Sequence, residues 1–76
     1  MPSKKSQANQ ALGSAMRSAR KQRGYTQESF AARVDLARSN YGAIERGEFN
    51  VTVDTIVKVV TGLGITAAEL LHRAKL

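Results

Sequence analysis

Cysteine is absent from this 76-residue chain, which removes disulfides and thiolate metal sites and fits a reducing compartment, with the cytoplasm the expected location. Stability must come from packing alone. No run approaches the roughly 18 consecutive apolar residues of a membrane span, and the opening "MPSKKSQANQ" lacks an apolar targeting stretch. No membrane association is expected. Histidine occurs once, as His72, on a helix with no carboxylate or nucleophile cluster in the expected core, so it reads as a solvated surface residue. The serines and threonines have no base to activate them, and the six Asp and Glu residues are dispersed without metal-ligand spacing. The expectation is a non-enzymatic protein with no metal and no cofactor.

Acid is also missing locally. Residues 1–25 carry Lys4, Lys5, Arg17, Arg20, Lys21 and Arg23 without one Asp or Glu, so the net charge of +6 is concentrated at one end. Such a region suits a polyanion, because each phosphate neutralised releases a counterion. Residues 1–7 read as a flexible basic arm, whose Lys4 and Lys5 would add phosphate contacts, and residues 8–76 as one domain near the lower size limit for a single core. That size leaves no room for a second domain and makes a small-molecule effector pocket unexpected.

What is present is helical periodicity. Ala8, Ala11, Leu12, Ala15, Met16 and Ala19 recur at three and four, giving a first helix over about 8–23 that ends at Gly24. Thr26 can cap a short second helix over 27–34, with Glu28 in its first turn and Phe30, Ala31 and Val34 on its buried side. Asp35 tolerates a left-handed backbone and marks a tight turn. A third helix spans about 38–46, with Gly47 as its stop. Thr52 begins a fourth, in which Val53, Ile56, Val57, Val60 and Leu63 keep helical spacing despite the β-branched "TIVKVV". Thr66 and Glu69 form a capping box for a fifth helix from Ala67, with Ile65 and Leu70 at hydrophobic-staple positions.

The third helix contains Gly42, where glycine costs roughly 0.5–1 kcal/mol relative to alanine. At about 100° per residue, Tyr41 and Ile44 share the core face, with Asn40 and Glu45 at its edges. The opposite face carries Arg38, Gly42 and Arg46, flanked by Ser39 and Ala43. Against the major groove of duplex DNA, Gly42 and Ala43 would let the backbone come close while Arg38 and Ser39 reach base edges.

The stretch "TQESFAARVDLARSNYGAIERGE" resembles the helix-turn-helix signature of the Cro/repressor, or xenobiotic-response-element (XRE), family, and "TVDTIVKVVTGLGITAAELL" resembles that family's fourth and fifth helices. Among its members, the short controller proteins of restriction-modification systems look most similar. The resemblance implies an all-α, compact five-helix bundle of the lambda-repressor-like DNA-binding type that regulates transcription from double-stranded DNA as a homodimer. It also implies phosphate contacts from Gln27, Asn40, Arg46 and the amides around Gly47, and a structural ion pair between Arg20 and Glu45. Ala37 stands where the family has a capping Ser or Thr, and Tyr41 replaces an aliphatic residue, its ring expected to be partly buried. The competing expectation is an antitoxin-like protein-interaction module of the same fold. The face around Arg38 has no aromatic or aliphatic anchor of the kind such a module would expose. On the fifth helix, Ala67, Leu70, Leu71 and Ala74 form a broad stripe; Leu70 is expected in the core, leaving Leu71 with Leu63 and Leu76 for a dimer partner.

Overall fold

Local chemistry sets the helix ends in the computed structural model, which describes residues 6–76. The elements are α1 (Gln7–Gln22), α2 (Gln27–Arg33), α3 (Arg38–Glu45), α4 (Val53–Leu63) and α5 (Ala67–Arg73), an all-α arrangement of five helices with no strand among the described residues. Ser6, Thr26, Thr52 and Thr66 each accept a hydrogen bond from the amide three residues on. At Thr26 the bond is reciprocated, Ser29 Oγ accepting from the Thr26 amide at 3.0 Å, a capping box built with Ser in place of Glu. The box expected at Thr66 is only half formed, because the Glu69 carboxylate turns instead to Arg73 at 3.0 Å. Only α3 starts, at Ala37, without a side-chain cap.

All five helices end in the same way. One residue adopts a left-handed φ, at Gly24, Asp35, Gly47, Gly64 and Lys75. The next amide then reaches back five residues, as from Leu36 to the Ala31 carbonyl and from Glu48 to the Ala43 carbonyl. Asp35 thus makes the turn expected of it, with φ 58°. α1 starts at Gln7 with Ser6 as its cap, while Lys4 and Lys5 of the expected arm lie outside the described residues.

The core is built from Met16, Ala19, Phe30, Tyr41, Val59, Leu63 and Leu70, with the Phe30 ring 5.3 Å from Tyr41 and 5.4 Å from Tyr25 between centroids. α1 packs against α3, α4 and α5, and α2 packs on α3. Four expectations are corrected here. Ala8 is exposed, and its neighbour Asn9 is buried instead, donating to Asn50 Oδ1 at 2.8 Å. Tyr41 is wholly enclosed rather than partly buried, and its hydroxyl lacks a hydrogen bond of acceptable geometry. Val53 and Val57 face solvent although they keep helical spacing with the core residues of α4. Leu63, expected at a dimer surface, is 2% exposed because it continues the buried stripe of Val59 and Val60.

α1 and α3 meet backbone to backbone. A Cβ on Gly13 would come within 2.4 Å of the Ile44 carbonyl oxygen and 2.5 Å of that of Glu45, so only glycine lets α1 lie against the end of α3. Seven residues further along the same face, Arg20 Nε and Nη2 donate to the Glu45 carboxylate at 2.7 and 3.1 Å, and Nη1 donates to the Tyr25 carbonyl at 2.7 Å. Both side chains of this pair are almost completely buried. Burial raises the Glu45 carboxyl, but hydrogen bonding by Arg20 and Gln27, with the Arg20 charge beside it, outweighs it and holds the group below its ordinary value.

Two stability predictions follow from this contact. Gly13→Ala should lower stability by about 1–3 kcal/mol in chemical denaturation, overpacking outweighing the ~1 kcal/mol that alanine gains by helix propensity. An unchanged midpoint would show that α1 and α3 are not in backbone contact. Glu45→Gln strands a buried guanidinium and should cost about 3–5 kcal/mol. Because the native carboxyl is depressed, its contribution is complete above the unfolded value of about 4.3 and is lost as pH falls through the lower native value. The acid limb of the wild-type stability profile should therefore be shallower in Glu45→Gln.

Candidate nucleic-acid interface

Helices α2 and α3 are joined by residues 34–37, with half-buried Leu36 packed against the core. The turn leaves the first residues of α3 projecting. Arg38, Ser39 and Asn40 are consecutive and exposed, whereas residues 41–45 are all buried. One helix is thus divided into an open N-terminal end and an enclosed C-terminal end. Beside the open end lies a shallow depression of about 230 Å³ lined by Gln27, Arg38, Ser39, Gly42 and Arg46, with no carboxylate in its wall. Two larger depressions, one between α1 and the chain end and one between α2 and α4 with Asp35 in its wall, are lined mostly by small, basic and apolar side chains.

Gly42 forms the floor of this depression and is covered. A Cβ there would meet Arg46 Nη1 at 3.2 Å and Gln27 Oε1 at 3.4 Å, so two flexible side chains roof the glycine. Ala43 is also buried, at 8% exposure. The expectation that Gly42 and Ala43 present bare backbone is therefore corrected: packing buries Ala43, the side-chain ends of Arg46 and Gln27 cover Gly42, and the exposed positions are Arg38 and Ser39. Gly47 is corrected likewise. Its left-handed backbone sits against Gln10, where a Cβ would come within 2.8 Å of Cα, and its amide is committed to the Ile44 carbonyl at 3.0 Å. The Glu48 amide is bonded to the Ala43 carbonyl, so neither is directed outward for a phosphate.

Gln27 is half buried and its Nε2 donates to Glu45 Oε1 at 3.0 Å, tying the start of α2 to the Arg20–Glu45 pair. Arg46 is exposed and pairs with Glu48, Nε to Oε2 at 2.7 Å and Nη2 to Oε1 at 3.2 Å. Sequence reasoning missed both ties, and it missed Gly13. The spacing of Glu48, two residues after Arg46 across a glycine stop, was the available signal for one of them. Asn9, Gly13, Met16 and Arg20 at intervals of three and four were the signal for the other face of α1.

A family model described as helix-turn-helix matches residues 16–70. The control protein C.MunI of Mycoplasma sp is 44% identical over 60 residues, 78% of this chain and 81% of that protein. Among solved structures, the clp gene regulator ClgR from Corynebacterium glutamicum superposes with a TM-score of 0.86 at 29% identity, covering 90% of this chain and 72% of that one. The restriction-modification controller protein C.AhdI from Aeromonas hydrophila superposes with a TM-score of 0.78 at 38% identity, covering 80% and 92%. The five helices share the lambda-repressor-like arrangement of these neighbours. The chain belongs to the XRE-type helix-turn-helix family.

Proposed function

We propose that this protein is a transcriptional regulator that binds duplex DNA sequence-specifically, as a homodimer on inverted half-sites. The observation that carries this reading is the open end of α3, where Arg38, Ser39 and Asn40 project together beside a depression walled by Gln27 and Arg46. A guanidinium and a hydroxyl at the start of a helix suit base edges in the major groove, with Arg38 and Ser39 in that role. Asn40, Gln27 and Arg46 at the margins suit phosphates, as do Lys4 and Lys5. The absence of a side-chain cap at Ala37 leaves the first amides of α3 available to an anion. Regulators and controllers among the relatives support the reading, and the restriction-modification controller C.AhdI makes such a system one candidate setting. The competing reading, a module that binds another protein through this face, finds only polar side chains at residues 38–40.

For the dimer, exposed Leu71 and Leu76 on and after α5, at 37% and 59% exposure, provide the apolar contact, while Leu63 serves the core. A two-fold contact there would place the recognition helices roughly 34 Å apart, one turn of DNA.

Selection of bound fragments from a random duplex pool is the direct test, with inverted symmetry expected in the recovered site. On that site, Arg38→Ala should cost about 1–3 kcal/mol and relax one base position. Equal losses on selected and random duplex would remove Arg38 from base reading. Leu71→Arg should yield a folded monomer by sedimentation that retains only weak, non-specific binding. A dimer that persisted would place the interface elsewhere.

A further inference from the structure

Two cations line the depression beside α3, and they are held differently. Arg38 has no ion pair among the described residues. Arg46 donates from both Nε and Nη2 to Glu48, so the forked edge that best fits a phosphate or a guanine faces a carboxylate instead. Its remaining nitrogen, Nη1, hangs over Gly42. The carboxylate arrives on a fixed turn: Gly47 is left-handed, and the amides of Gly47 and Glu48 are bonded to the carbonyls of Ile44 and Ala43. Glu48 is therefore built into the end of α3 as firmly as Arg46 itself. The pair is nonetheless partly exposed, with side-chain exposures of 56% and 35%, so solvent screening leaves it weak enough to exchange.

We propose that Glu48 is a built-in brake on DNA affinity, acting by occupying Arg46 in place of a phosphate. The inference rests on the DNA-binding reading above. A duplex of any sequence meets a neutralised cation and must displace the carboxylate before it gains from Arg46. Breaking the pair is a cost charged against binding, so Glu48 lowers affinity for every sequence and removes about one cation from the salt dependence wherever the pair persists.

The test is a double-mutant cycle with Glu48→Gln, Arg46→Gln and the combined variant, titrated over a salt series on a random-sequence duplex and on the duplex recovered by selection. Thermal melts report that each variant folds. Glu48→Gln is expected to tighten binding to the random duplex about fivefold and to steepen its salt dependence by about one phosphate equivalent. The gain on the selected duplex should be at least as large. In the Arg46→Gln background the same substitution should change random-duplex affinity by less than about twofold. An equal effect in both backgrounds would show that Glu48 acts as a distant charge and overturn the proposal. A wild-type protein that bound neither duplex at low salt would overturn the DNA-binding reading and this inference together. Wild-type binding with an additive cycle would overturn the role of Glu48 alone.

Discussion

The rest of the structure depends on how α1 holds the end of α3. At eight residues, α3 is well below the ~12–15 residues at which isolated helices become even marginally stable, and it has no side-chain cap. Its order is borrowed from its C-terminal end. There the Glu45 carboxylate is gripped by Arg20, the Ile44 and Glu45 carbonyls lie on Gly13, Gly47 lies on Gln10, and Asn50 accepts from Asn9. All four α1 partners fall within Asn9 to Arg20, so a single straight helix acts as the clamp.

The ion pair contributes more to uniqueness than to raw stability. Removing two charges from water consumes most of their mutual attraction, but any slip of α1 along α3 would leave both charges buried and unpaired. Through Gln27 the same carboxylate also fixes the start of α2, so three helices meet at one group. Tyr41, packed beside it, has its hydroxyl pushed far above the usual phenolic range, chiefly by burial and then by the neighbouring Glu45, so it stays neutral throughout the physiological range.

Features that depend on a few neighbouring residues were legible in the sequence. The left-handed turn at Asp35, the stop at Gly47, the caps at Thr26 and Thr66, and the helical state of the β-branched α4 all follow from local chemistry. The Arg20–Glu45 pair spans 25 residues and was carried by family resemblance alone. Illegible features depend on what lies across the interface. Gly42 and Gly13 look alike in sequence, yet side-chain ends cover one and the backbone of α3 abuts the other. Leu63 and Leu71 are equally apolar, and only the packing of α4 and α5 separates a core leucine from an exposed one. Arg46 read as a free cation because its partner, two residues away, acts through a turn rather than along a helix face.

α3 is about 12 Å long at ~1.5 Å per residue, and its two ends share no duty. Its anchors lie at residues 41–45 and in the segment that follows, as far as Asn50, and everything it exposes lies at residues 38–40. It is a cantilever, rigid at the wall and free at the tip. Three adjacent side chains can therefore be exchanged without disturbing a single packing contact at the anchor, and one scaffold can carry many addresses.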